Sequence, residues 1–132
     1  MTERTVLVVD DDPVILKLLE VNFEMEGFAV VVARDGAEGV EMARSLRPDL
    51  VLSDIMMPVK SGLQLVTELR ADPRTADIPI LLLSAKAQHA DVREGLDAGA
   101  DDYVTKPFEP LDLVERVNRL LDARATRASG SS

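Results

Sequence analysis

Five short apolar runs, each followed by a longer segment of helical period, constrain the fold of this chain more than any other feature. The runs are Val6-Leu7-Val8-Val9, Phe28 to Val32, Leu50-Val51-Leu52, Ile80 to Leu83, and Ala100 to Val104, where Asp101 and Asp102 interrupt the last. Strands of four or five apolar residues suit a sheet buried on both faces, and therefore a parallel one. The segments between them read as helices. Asp12-Pro13 offers an N-cap with proline at the first helical position, and Ile15, Leu18, Leu19 and Phe23 then recur at spacings of three and four. Asp35 and Glu38 form a capping-box pair ahead of Val40, Ala43 and Leu46. Ser61 to Leu69 carries Leu65, Val66 and Leu69; Gln88 to Ala98 is the least apolar, with Val92 and Leu96; Leu113, Val114, Val117, Leu120 and Leu121 give the clearest stripe. Right-handed crossovers place such helices on both faces of the sheet, so the expected class is a doubly wound α/β fold of five strands and five helices.

Composition narrows the function. A chain of 132 residues fits one domain. It has no cysteine, which excludes a disulfide scaffold and a thiolate metal site. Its aromatics are Phe23, Phe28, Tyr103 and Phe108, so the core must be Leu, Val, Ile and Ala. With 15 Lys and Arg against 24 Asp and Glu, the net charge of −9 argues against nucleic-acid binding by this chain. No apolar run approaches the ~20 residues of a membrane span. Met1-Thr-Glu-Arg leads into the first run without a signal peptide, so a cytoplasmic location is expected. Residues 125–132 lack periodicity and read as a disordered tail, the start of a linker or a cloning remnant.

Ligands of open parallel sheets bind beyond the carboxyl ends of the strands. The first strand ends in Asp10-Asp11-Asp12, the third in Ser53-Asp54, the fourth in Ser84 and the fifth in Thr105-Lys106-Pro107. The second ends in Ala33-Arg34 with no evident chemistry. Carboxylates gathered in one cleft repel one another unless positive charge relieves them. A hard divalent cation such as Mg²⁺ takes oxygen ligands, and Lys106 neutralises a further charge. Carboxylate nucleophile, cation, ammonium and the Ser84 hydroxyl together suit phosphoryl transfer.

Four segments then carry a resemblance: V-L-V-V-D-D-D-P from Val6, D-L-V-L-S-D-I-M-M-P-V-K-S-G from Asp49, L-L-L-S-A-K from Leu81, and G-A-D-D-Y-V-T-K-P-F from Gly99. In this order, at these strand ends, the chain resembles the receiver domain of two-component response regulators over residues 4–124. The resemblance implies a flavodoxin-like sheet of order 2-1-3-4-5. It implies Asp54 as phosphoacceptor, Asp10 and Asp11 as the acidic pair, and the Met56 carbonyl as a further ligand to Mg²⁺. It implies Ser84 as switch hydroxyl, Lys106 as the lysine that meets the phosphoryl group, and Tyr103 as switch aromatic. Pro58 and Gly62 match the loop after the acceptor, and a cis peptide precedes Pro107. The implied function is a signalling switch, not an enzyme acting on other molecules. A sensor histidine kinase or phosphotransfer protein donates the phosphoryl group, and Asp54 holds it. The surface of the fourth helix, fifth strand and fifth helix then repacks toward an output partner or a missing effector domain. A homodimer through the last two helices and a donor docking face at Pro13, Leu16 and Lys17 follow by the same analogy. Met56 and Lys86 would flank the phosphoryl group, and Met56 cannot orient a water, so slow self-hydrolysis is expected.

Plainer readings stand beside these. Asp12 serves as a helix cap, Tyr103 also suits core filling, and His89 suits a solvated position. Arg116, Arg119, Arg124 and Arg127, interleaved with acids, read as a solvated helix face, and Met56-Met57 as loop packing. A phosphatase of the haloacid-dehalogenase type also uses an Asp-x-Asp after its first strand, as in Asp10-Asp11-Asp12. However, its lysine precedes its final acidic pair, whereas Lys106 follows Asp101 and Asp102, and it leaves Asp54 without a role. A dinucleotide site would need Gly-x-Gly-x-x-Gly after the first strand, which is absent.

Overall fold

Strands and helices alternate through the computed structural model, which describes residues 3–57, 59–85 and 88–130. Pro58 and Lys86 lie outside the described residues, as do the side chains of His89 and of residues 125–130. The elements are β1 (Thr5–Val9), α1 (Pro13–Met25), β2 (Ala29–Ala33), α2 (Gly36–Leu46), β3 (Leu50–Asp54), α3 (Gly62–Ala71), β4 (Ile80–Ser84), α4 (His89–Ala98), β5 (Asp102–Thr105) and α5 (Pro110–Gly130). The strands pair in parallel in the order β2-β1-β3-β4-β5, the order the resemblance implies.

Alternation along the strands sends residues to two apolar layers. Val6, Val8, Leu50, Leu52, Leu81 and Leu83 face α1 and α5, meeting Leu16, Leu19, Phe23, Leu113 and Val117. Leu7, Val9, Val51, Ile80 and Leu82 face α2 and α3, meeting Val40, Ala43, Leu65, Val66 and Leu69. The near-continuous apolar strands exist because both faces are covered; each buried Leu or Val contributes about 2 kcal/mol. Phe23 and Phe28 meet edge to face with centroids 5.4 Å apart, closing the end of the α1 layer.

Local capping explains where the helices begin. Asp12 accepts from Val14 N–H at 2.9 Å, with Pro13 at the first position of α1. Asp35 accepts from Glu38 N–H at 2.8 Å, the one-sided form of the pair read from sequence. The full reciprocal box stands instead on α3: Ser61 N–H donates to Gln64 Oε1 at 2.9 Å and Gln64 N–H to Ser61 Oγ at 3.2 Å. β5 starts at Asp102, not Ala100, because Asp101 turns its carboxylate back to accept the Ile80 N–H at 2.8 Å. α5 continues to Gly130, well into the segment read as tail. Ala123, Ala125 and Ala128 favour helix, and no Pro or Gly intervenes before Gly130. Of the expected α1 docking face, Pro13 and Lys17 are exposed but Leu16 points into the core, and the apolar part of the outer face is Val14, Leu18, Val21 and Met25 instead. No helix of the described residues is long and apolar enough to cross a membrane.

Candidate functional site

The parallel sheet delivers its chemistry at one edge because β1, β3 and β5 all end there. Asp10 extends β1 by one residue, its N–H donating to Ala33 O at 3.1 Å, and is 1% exposed. Asp54 closes β3 and is 5% exposed. Lys106 follows β5, its N–H held by Ser84 O at 2.8 Å. Its Nζ lies 3.2 Å from Asp10 Oδ2 and 3.4 Å from Asp54 Oδ2, bridging two buried carboxylates. Asp11 is exposed, yet carboxylate oxygens of Asp10, Asp11 and Asp54 all lie within 4.8 Å of one another. In each strand the reactive residue keeps the parity of the layer that faces α1 and α5: Val8 and Asp10, Leu52 and Asp54, Val104 and Lys106. Ser84 and Tyr103 have the opposite parity, shared with Leu82 in the α2–α3 layer.

Burial sets the electrostatics. It raises the Asp10 carboxyl above its usual range, against the Asp12 N–H bonded to Oδ1 at 2.9 Å and the Lys106 ammonium. Burial, and then the neighbouring Asp10 charge, raise Asp54 as well, against Lys106. Burial works against the Lys106 ammonium, but Asp10 and Asp54 outweigh it and its pKa is raised. Among the described residues, Lys106 bridges two of the three grouped carboxylates, leaving a surplus of negative charge on hard oxygen donors. This donor set fits a small divalent cation.

The comparisons with known proteins agree with this geometry. The family profile described as response regulator receiver domain matches residues 6–118. The chain belongs to the response-regulator receiver domains. It is 47% identical over 116 residues to the DNA-binding dual master transcriptional regulator RpaA of Synechocystis, covering 88% of this chain and 48% of that protein. It is 46% identical over 132 residues to the transcriptional regulatory protein PrrA of Mycobacterium tuberculosis, covering 100% of this chain and 56% of that one. The receiver domain thus spans about half the length of the curated relatives it matches. Among solved structures, the chemotaxis response regulator CheY4 of Vibrio cholerae superposes with a TM-score of 0.86 at 32% identity, covering 90% of this chain and 99% of that one. The receiver domain of a Pseudomonas aeruginosa sensor histidine kinase gives a TM-score of 0.85 at 31% identity, covering 92% and 99%; that structure holds a magnesium ion in its active-site cleft.

The loop after Asp54 shows why this receiver domain needs its glycines. A Cβ on Gly62 would sit 2.4 Å from Asp54 O and 2.8 Å from Ile55 Cα. One on Gly36 would sit 2.2 Å from Lys60 O. The loop is thus pressed between α2, α3 and Asp54. Val59, a β-branched residue at φ +69°, takes a left-handed conformation within it. Gly62→Ala is expected to destabilise the domain by about 2 kcal/mol or more, because the clash is with backbone rather than a movable side chain. Urea unfolding checks this, and an unchanged midpoint would refute it.

Other residues fall as follows. Ser84 is fully buried at the end of β4, and Tyr103 is 8% exposed in the α2–α3 layer, against Gly95 of α4. Met57 packs against that layer while Met56 is exposed, so only half of the Met-Met pair serves loop packing. The Lys106–Pro107 peptide is cis. Arg116 is not the solvated residue read from sequence. Its guanidinium meets Asp102 of β5 at 3.1 Å and Asp112 at 3.3 Å, a contact across elements that helical spacing does not reveal. Sequence reasoning passed over Arg70, which bonds three backbone carbonyls and the distant Asp101 carboxylate, contacts that leave no local motif.

Proposed function

We propose that this domain accepts a phosphoryl group on Asp54 from the phosphohistidine of a sensor histidine kinase or phosphotransfer protein. The observation that carries this reading is the buried Asp54 carboxylate, 3.4 Å from Lys106 and grouped with Asp10 and Asp11. A lone pair of the Asp54 carboxylate attacks phosphorus. The P–O bond forms as the P–N bond breaks, and the electron pair stays on the imidazole nitrogen, which takes a proton from solvent. A carboxylate made more basic by burial is the better nucleophile. Asp10, Asp11, Asp54 and the Met56 carbonyl would hold Mg²⁺, which offsets charge on the phosphoryl oxygens. Lys106, already between Asp10 and Asp54, turns to the phosphoryl oxygens, and Ser84 gives a hydroxyl bond. Tyr103 and the α4-β5-α5 surface then repack toward the output partner.

Because the curated relatives are about twice as long and carry DNA-binding or transcriptional names, we assign the output to a following effector domain, with a homodimer as its working form. The phosphatase alternative is disfavoured because it leaves the buried Asp54 carboxylate, 3.4 Å from Lys106, without a role.

Acetyl phosphate with Mg²⁺ is expected to add one phosphoryl group, stable to acid and lost in base, and chelation of the metal should prevent it. A mass spectrum showing no addition, or addition indifferent to chelation, would overturn the reading. The exposed thioether of Met56 cannot orient an attacking water, so the phosphoryl group should persist well beyond seconds after the donor is removed. Loss within seconds in a quenched time course would contradict this.

A further inference from the structure

Outside the site, one guanidinium ties together three segments at the opposite edge of the sheet. Arg70, near the end of α3, donates through Nε to Gly99 O at 2.9 Å. The same side chain donates to Ala76 O at 2.9 Å and Ile78 O at 2.7 Å, ahead of β4. Its third nitrogen meets Asp101 Oδ2 at 2.8 Å, the oxygen that also accepts the Ile80 N–H. Gly99 is the C-cap of α4; its φ is +121°, and a Cβ there would lie 2.9 Å from Arg70 Cγ. The C-terminal end of α4 is therefore held by a directed, charge-assisted bond in a space that admits only glycine.

The rest of α4 is held far less. Its N-cap, Gln88, makes no side-chain hydrogen bond. Among its described residues only Gly95 is buried, seated on the Tyr103 ring and Leu82. The helix thus rests on Gly95, with Val92 and Ala98 partly buried against the same layer, and its side-chain tie among the described residues is at the Gly99 end. Its first turn, which follows Ser84, has no side-chain cap from Gln88.

We propose that Arg70 is a positioning residue that makes Gly99 the pivot of α4. A change at Ser84 then displaces the N-terminal turn of α4 while the 99–101 segment stays in place. The device converts a local movement at the carboxyl edge into a tilt of the helix, instead of a loosening of the whole element. This rests on the phosphorylation reading above.

The test is hydrogen exchange along α4 in the whole chain, with and without acetyl phosphate and Mg²⁺, while mass spectrometry follows phosphoryl occupancy. In the parent protein, exchange at the start of α4 should change by roughly tenfold on phosphorylation, while the 98–101 amides change little. In Arg70→Met both ends should change together. Arg70→Lys keeps the charge but not the fork, so it should behave like Arg70→Met in this gradient even where it recovers melting temperature. A merely structural role would lower the melting temperature of both variants and leave the gradient intact. Equal changes at both ends in the parent, or a gradient that survives in Arg70→Met, would overturn the pivot. Full occupancy with no change anywhere along α4 would also overturn it while leaving the acceptor role standing. Absence of the phosphoryl group would instead remove the reading beneath it, and the pivot with it.

Discussion

Asp54→Ala, exposed to acetyl phosphate and Mg²⁺, should remain unmodified, with incorporation reduced by about a hundredfold or more. The size of the loss follows from what surrounds the other acids. Asp10 is as deeply buried, with Oδ1 accepting the Asp12 N–H, and in the proposed reading its carboxylate holds the cation instead of attacking. Asp11 is exposed, so its carboxylate stays solvated and gains nothing from burial. Neither is expected to take over the attack. Asp54→Asn tests the same point with less change of shape. Substantial alkali-labile modification persisting in both variants would locate the acceptor elsewhere.

Lys106→Ala should produce the second large effect, in two separable parts. The first concerns stability. Removing the ammonium leaves Asp10 and Asp54 facing each other without compensation, which is expected to cost about 1–3 kcal/mol at pH 7, reduced from the fully buried case because the lysine is partly exposed. The pH dependence follows from the direction of the shifts. Asp10 and Asp54 have folded pKa values above the ordinary 3.8, so the stabilisation they confer is complete below that value and is lost as the pH rises through the raised values. Lys106, raised above 10.5, contributes below that value and loses its contribution as the pH rises through its own raised value. Metal-free parent protein should therefore gain stability from neutral pH toward about pH 4 through these two acids. The gap between parent and variant should shrink over the same window, and on adding Mg²⁺. Urea titrations at several pH values check this; a pH-independent gap would refute it. The second part concerns signalling. The variant should still bind Mg²⁺, but phosphorylation should no longer shift the α4-β5-α5 amides, because the ammonium proposed to meet the phosphoryl oxygens is gone. A coupling worth about fivefold or more in the parent should fall to near unity. Unchanged amide shifts in the variant would refute that role.

The features legible in the sequence were those with a local or periodic signature. Val6 to Val9 and Ile80 to Leu83 announce buried parallel strands because both sheet faces are covered. Asp10, Asp54 and Lys106 announce a site because parallel strands all end at one edge. Contacts between distant segments were not legible. Arg116 reads as one more charge on an exposed stripe, although it reaches Asp102. Arg70 bonds to carbonyls of Ala76, Ile78 and Gly99, and any residue type at those positions would offer the same oxygen. Ser61-x-x-Gln64 has the spacing of a capping box, but spacing alone does not show that the glutamine side chain returns to the cap N–H. Capping at Asp35 was legible but one-sided, since a glutamate three residues on supplies the possibility of a return bond and not its geometry. The extent of α5 depended on weighing alanine against the serines and glycine that follow, and alanine prevailed through residue 130.

The shared parity of Asp10, Asp54 and Lys106 limits how the strands can vary in length. Deleting or adding one residue within β3 would rotate the acceptor by half a turn of the pleat, carrying it to the side where Ser53 now lies. A two-residue change would keep the orientation and move it by about 7 Å along the strand, still out of reach of the ammonium. Among descendants of this chain, insertions and deletions should therefore collect at the opposite edge of the sheet and in the outer turns, while the spacing from Leu50 to Asp54 stays fixed.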